Sequence, residues 1–194
     1  KMALAEGKSA EQALAEAAKA VKAAGASGKD VAEYVSEVAT SLPETKDKPV
    51  EQVAKLAADA VKAAGGNEKE AAQAASVAAA QAAKQSGASD ADALQASTNA
   101  MQAAGGNAED MVKAAGEAAS KLASSKQAGE KAPHQLVNDV TDAVAVEAAK
   151  QGVPAKRAAQ LAAAVVKDAG ADDAHAKMAL AEGKSAEQAL AEAA

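Results

Sequence analysis

Apolar residues recur along this chain at helical spacing. Val50, Val53, Leu56, Ala57, Ala60, Val61 and Ala64 form one stripe. Val31, Val35, Val38 and Leu42 form another, and Leu136, Val137, Val140, Val144 and Ala148 a third. Steps of three and four residues place each set on one face of an α-helix. No segment alternates apolar and polar residues in the manner of a strand.

Punctuation between the stripes predicts where helices begin and end. Ser9-Ala10-Glu11-Gln12 reads as a capping box, in which Ser accepts from the backbone and Gln returns the bond; Ser185–Gln188 repeats it. Asn67-Glu68-Lys69-Glu70, Ser89-Asp90-Ala91-Asp92 and Asn107-Ala108-Glu109-Asp110 follow the same logic, with acids favoured by the helix dipole. Pro49, Pro133 and Pro154 suit first turns, where no N–H is needed. Gly25, Gly65, Gly105, Gly152 and Gly170 suit C-terminal caps in the left-handed region. These marks predict helices over 9–24, 28–42, 49–64, 67–85, 89–104, 107–124, 133–151, 154–169 and 172–182, with a tenth starting at 185. Ser and Thr are expected at caps and turns. The looser segments Pro43–Lys48 and Ser124–Ala132 are expected as hinges or unit boundaries.

Two periods overlie this pattern. Val21-Lys22-Ala23-Ala24-Gly25 recurs as Val61-Lys62-Ala63-Ala64-Gly65 and as Met101-Gln102-Ala103-Ala104-Gly105, so that the glycines fall 40 residues apart. A fourth copy, Val166-Lys167-Asp168-Ala169-Gly170, is displaced by an insertion around Ser124–Pro133. Periods of this length mark repeat architectures, whose units bury their apolar faces against neighbours. Loops of two to six residues make consecutive helices antiparallel neighbours. The expected fold is therefore all-α: tandem antiparallel helical hairpins of about 40-residue period, stacked as an α-solenoid or an elongated helical bundle.

The longer period is an identity. Residues 1–18 and 177–194 both read KMALAEGKSAEQALAEAA, 18 of 18 at an offset of 176. Ala richness alone would not bring Lys, Met, Leu, Glu, Gly, Ser and Gln into register. Residues 1–176 are read as one full Ala-rich repeat unit and 177–194 as the start of the next, the alternative being an engineered duplication. The second copy stops inside a helical pattern, which predicts a longer native chain.

Composition narrows the core and the function classes. Ala makes up a third of the chain; Cys, Trp, Phe and Ile are absent, and Tyr34 and Arg157 are single representatives of their types. The core must be built from Ala, Val, Leu and Met, and at roughly 25 cal/mol per Å² each small side chain contributes little. Stability must come from many close helix contacts, which Ala faces permit. A net charge of −6 argues against a nucleic-acid partner. The longest uncharged Ala stretch, Ala71–Ala83, is broken by Gln73, Ser76 and Gln81 and is too short and polar to span a membrane. Leaving out nearly all aromatic residues, Ile and Cys makes a chain economical to synthesise in bulk, as for secreted fibres and abundant protective proteins.

Little in the chain reads as chemistry. Gly7-Lys8-Ser9 and Gly183-Lys184-Ser185 resemble the end of a phosphate-binding loop, but Met2 and Met178 stand where its first Gly is required. The structural reading is a Gly turn followed by a Ser N-cap. His175 follows Asp172 and Asp173, yet Asp172 reads as an N-cap and a metal needs three or four convergent ligands. His134, after Pro133, reads as an exposed first-turn residue. The acid pairs Glu109-Asp110 and Asp172-Asp173 stand at helix starts, and no nucleophile is paired with a base. Tyr34, beside the Val31–Val38 stripe, reads as a packing or interface residue. No catalytic, cofactor-binding or metal-binding residue is identified, no cofactor is expected, and the chain does not read as an enzyme.

Near-perfect long repeats of weak individual units resemble the general style of silk-like and giant surface proteins, without a match to one family. This implies a structural, self-assembling or spanning element of an extracellular fibre, filament or surface stalk, whose partners are copies of itself, outside the cell or on its surface. Two alternatives carry over. An ice- or surface-binding helical protein would suit the Ala faces, but Thr40, Thr45, Thr98 and Thr141 share no regular spacing. A desiccation-protective protein would suit the texture of Gly116–Ala132, against the repeated caps and turns.

Overall fold

A computed structural model of the chain describes residues 9–125 and 133–168, with the backbone alone at 123–125 and 133–136. Among these residues there are eight α-helices and no strand: α1 (Ala10–Ala23), α2 (Gly28–Ser41), α3 (Val50–Ala63), α4 (Glu68–Gln85), α5 (Asp90–Ala103), α6 (Ala108–Ser125), α7 (Pro133–Gln151) and α8 (Ala155–Asp168). The expected helices at 172–182 and from 185, the Gly170 cap and the 177–194 copy of the opening segment lie outside the described residues.

The ends of the helices follow from local chemistry. The Gln12 N–H donates to Ser9 Oγ and the Ser9 N–H to Gln12 Oε1, both at 3.3 Å. Asn67 and Glu70 form the same reciprocal pair at 2.9 Å in each direction. A further box, Ser27 with Asp30, opens α2 and is not among those read from the sequence. Pro49 stands at the N-cap of α3, one residue before the first turn expected for it. Gly25, Gly65 and Gly105 have φ of +90°, +76° and +87°. After each, the following residue's N–H reaches back to a carbonyl five residues earlier: Ala26 to Val21, Gly66 to Val61, and Gly106 to Met101. This pairing, with the glycine itself bonded three residues back, satisfies carbonyls that a helix end leaves open.

The chain divides into two compact units, residues 1–106 and 107–194. The division falls at the Gly105-Gly106 turn. Pro43–Lys48 lies inside the first unit, where Pro43–Thr45 forms a short 3-10 helix. Thr45 there is buried, and its Oγ1 donates to the carbonyls of Ala39 at 2.6 Å and Leu42 at 2.8 Å. That segment is tied down. Of the expected hinge Ser124–Ala132, Ser124 and Ser125 end α6 and the remainder lies outside the described residues.

In the first unit each helix packs on the next, and α1 also meets α3 as α2 meets α4. A single apolar cluster joins Leu14 and Ala18 of α1, Val31 and Val35 of α2, Val53, Ala57 and Val61 of α3, and Ala71, Ala74, Ala75 and Ala78 of α4. Helix α4 is central, in contact with α2, α3 and α5. From Glu70 to Lys84 none of its residues is exposed. Its partly exposed positions, Glu70, Gln73, Gln81, Ala82 and Lys84, are mostly polar, and the rest of its surface is built mainly of the smallest apolar side chain, which lets neighbouring helices approach closely. In the second unit α6, α7 and α8 pack pairwise around Val112, Val137, Val140, Val144, Leu161, Val165 and Val166.

Hydroxyl groups depart from the expected distribution. Ser36, Thr40, Ser76, Ser97, Thr98, Ser120 and Thr141 lie inside helices and are buried, so Ser and Thr are not confined to caps and turns. The reason is that a small hydroxyl can satisfy itself on its own helix. Ser36 Oγ donates toward the Ala32 carbonyl at 2.7 Å and Thr141 Oγ1 to the Val137 carbonyl at 2.8 Å. The same groups also bridge helices: Ser36 Oγ lies 3.0 Å from the Ala74 carbonyl, and the Ser76 and Ser97 hydroxyls are 2.7 Å apart.

Candidate functional site

A groove runs through the first unit between α3 and α5, with α4 as its floor, and has a volume of about 830 Å³. Ala75, Ala79 and Ala83 recur every fourth residue along the floor, one row of the α4 surface. Val50, Ala54 and Ala58 of α3 form one wall, and Ala96, Ala100 and Ala103 of α5 the other. The rim is polar: Glu51, Lys55, Asp59 and Lys62 on α3, Asp92, Gln95 and Asn99 on α5.

The groove exists because α5 is attached to α4 and hardly to α3. Its buried residues, Ala93, Ser97, Thr98 and Met101, make a narrow band, and the Ser76–Ser97 hydroxyl pair holds that band to α4. Forty residues earlier the corresponding seam is closed. There α1 packs along α3, and Lys22 Nζ donates to the Gly65 carbonyl at 2.5 Å. The second unit has a smaller apolar slot of about 120 Å³ between α7 and α8, lined by Val144, Ala148, Ala158 and Ala162 among others.

The residues weighed in the sequence do not converge. Ser9 caps α1; Gly7 and Lys8, and their copies at 183 and 184, lie outside the described residues. So do His175, Asp172 and Asp173, as does the side chain of His134. The acid pair Glu109-Asp110 splits. Asp110 accepts from the Asn107 N–H at 3.3 Å in return for the cap bond from its own N–H, whereas Glu109 faces Arg157 of α8. Tyr34 is 42% exposed on α2, so it does not contribute to the core beside Val31 and Val35. No group of three or more potential metal ligands occurs among the described residues, and no helix there is long and apolar enough to cross a membrane.

Sequence reasoning missed two features. The groove left one trace, the uncharged run Ala71–Ala83, whose shortage of polar residues implies a helix largely covered by its neighbours. Buried Glu147 left none. It sits within α7, accepts from Gln151 Nε2 at 2.8 Å and lies 3.4 Å from Lys150 Nζ. Asp30 is held below the ordinary carboxylate range, first by the Ser27 hydroxyl and then by the Ser27 backbone N–H. All four threonines, Thr40, Thr45, Thr98 and Thr141, are buried, so no exposed helix face carries a threonine row. Comparison with protein-family models, with curated proteins and with solved structures finds no match to this chain.

Proposed function

We propose that the chain is a structural element of a tandem array: one unit over 1–176, the start of the next over 177–194, and a mechanical or assembly role in an extracellular fibre, filament or surface stalk. The observation that carries this reading is the recurrence of the helix bounds. Helices of 14 residues begin at Ala10, Val50 and Asp90, and their partners begin at Gly28, Glu68 and Ala108. Both series advance by 40 residues, in step with the three glycine turns. Contacts of α1 with α3 and of α2 with α4 support stacked hairpins, the pattern of a solenoid.

In this reading the chain performs no catalysis, requires no cofactor and has copies of itself as partners. Small cores make each hairpin weak alone, and stacking many of them sums the contacts. Electron microscopy of several concatenated units is the direct test. Rods or filaments of regular width are expected; separate globules without stiffness or association would overturn the proposal. Circular dichroism in dilute buffer should show a helical spectrum, and a coil spectrum would favour a chain that orders only on drying.

A further inference from the structure

The seam between α1 and α3 is closed, whereas its counterpart over α4, between α3 and α5, is open, and the open rim carries an ordered series of charges. Along α3 these are Glu51, Lys55, Asp59 and Lys62, at steps of four, four and three residues. Such steps place all four within one face of the helix, beside the small wall residues Ala54 and Ala58. None of the four side chains makes an ion pair or hydrogen bond among the described residues. Lys62 is the repeat counterpart of Lys22, whose ammonium is already engaged at the Gly65 carbonyl.

Read from either end, the series alternates in sign and is opposite to itself when reversed. Laid antiparallel on a second α3, Glu51 meets Lys62 of the other chain and Lys55 meets Asp59, with both pairs repeated by two-fold symmetry. Ala54 and Ala58 then lie between the two helices, where small side chains let backbones approach closely. A volume of about 830 Å³ falls within the range of small-molecule sites as well. The charge order decides between the two occupants, because an apolar small molecule gains nothing from it, whereas an isologous interface requires such self-complementarity.

We infer that the α3–α5 groove is a lateral association site for a second copy of this chain, with the two α3 helices antiparallel and Glu51 paired to Lys62 across the two-fold axis. This inference deepens the assembly role proposed above and rests on it, by naming the surface through which neighbouring chains meet.

The test uses the whole 194-residue chain in sedimentation or light-scattering dilution series at low salt. The wild type should self-associate reversibly. Glu51→Lys and Lys62→Glu alone should each weaken association roughly tenfold or more, since each turns two attractive pairs into repulsive ones. An equimolar mixture of the two variants should restore it, because the mixed pair again opposes Lys to Glu at both sites. Both positions are exposed, so circular dichroism of the variants should match the wild type. The inference is overturned by a wild type that stays monomeric, by single variants that associate normally, or by a mixture that stays dissociated. It is equally overturned if an apolar dye binds monomers and is lost in Ala58→Glu, which would make the groove a small-ligand site. Concatenated units distinguish the two levels. Filaments unchanged by Glu51→Lys leave the assembly role standing without this interface, whereas dimers of the single chain without filaments from concatemers leave the interface and remove the role.

Discussion

Arg157 of α8 grips Glu109 of α6 with both arms of its guanidinium. Nε donates to Oε1 at 2.9 Å and Nη2 to Oε2 at 2.7 Å. This is the sole arginine of the chain, and it is used where the planar fork matters. Its side chain is 47% exposed and that of Glu109 46%, so water and salt screen the pair strongly.

Arg157→Lys therefore keeps the charge and loses the fork. At low ionic strength the urea midpoint should fall slightly below that of the wild type. Near 1 M salt, where screening acts over about 3 Å, the two curves should converge. An equal deficit at both salt concentrations would assign the residue's role to packing of its stem instead.

The Ser76–Ser97 hydroxyl pair is buried between α4 and α5, where a hydrogen bond contributes on the order of 1 kcal/mol net. Ser76→Ala and Ser97→Ala should each destabilise by about 1–2 kcal/mol. The double variant should lose less than the sum, with a coupling of about 0.5 kcal/mol or more. Losses in a double-mutant cycle that add without remainder would show that the contact carries no energy of its own.

Two glycines are required for opposite reasons, and the same substitution separates them. Gly105 has φ +87° and nothing within 4 Å of where a Cβ would stand, so Gly105→Ala should cost roughly 1–2 kcal/mol from backbone strain alone. Gly105→Asn should cost less, as Asn tolerates that region. Gly116 is inside α6, and an added Cβ would lie 2.8 Å from Val144 Cγ2 and 3.3 Å from Val165 Cγ2. Helix propensity favours Gly116→Ala by about 1 kcal/mol, but crowding of about 1–3 kcal/mol should win. In a Val144→Ala background the same change should become neutral or stabilising, measured by denaturant unfolding; continued destabilisation there would sink the crowding account.

Asp30 gives the pH dependence. Its carboxylate is held below its ordinary range by bonds from Ser27, so the folded state favours the charged form. That contribution is complete above the unfolded pKa and is lost as pH falls through the depressed folded value. An NMR titration should place Asp30 below the carboxylates that lack a cap partner, and Ser27→Ala should return it toward the usual value. An unshifted Asp30 in the wild type would contradict the capping geometry.

Much of this fold was legible because its punctuation is local. Ser9 with Gln12, Asn67 with Glu70 and the glycines at 25, 65 and 105 set helix ends within three to five residues, distances over which sequence and structure are nearly the same thing. The stripes through Val53, Ala57 and Val61 and through Val140, Val144 and Ala148 became core for the same reason. The groove depends instead on which helix α5 packs against, and one of the contacts that tie it to α4 is Ser97 meeting Ser76 from 21 residues away. A serine among alanines has no local signature that tells a bridging hydroxyl from a solvated one. Pro43–Lys48 misled for a related reason: its proline and charges look loose, while Thr45 fastens it to α2 from within.

The enclosure of α4 bears on how freely this sequence can drift. A helix with one wet side has positions where almost any residue is tolerated, and substitutions accumulate there without consequence. From Glu70 to Lys84, α4 keeps only Glu70, Gln73, Gln81, Ala82 and Lys84 partly exposed. Its alanines cannot shrink without becoming glycine, which weakens a helix interior, and those packed in the apolar cluster away from the groove, Ala71, Ala74 and Ala78, cannot grow without displacing a neighbour. Its spelling is thus dictated by space over most of its surface, whereas the outer face of α1, with Lys19, Ala20 and Ala23 in solvent, is open to change. Copies of this unit would be expected to diverge on α1 long before they diverge on α4.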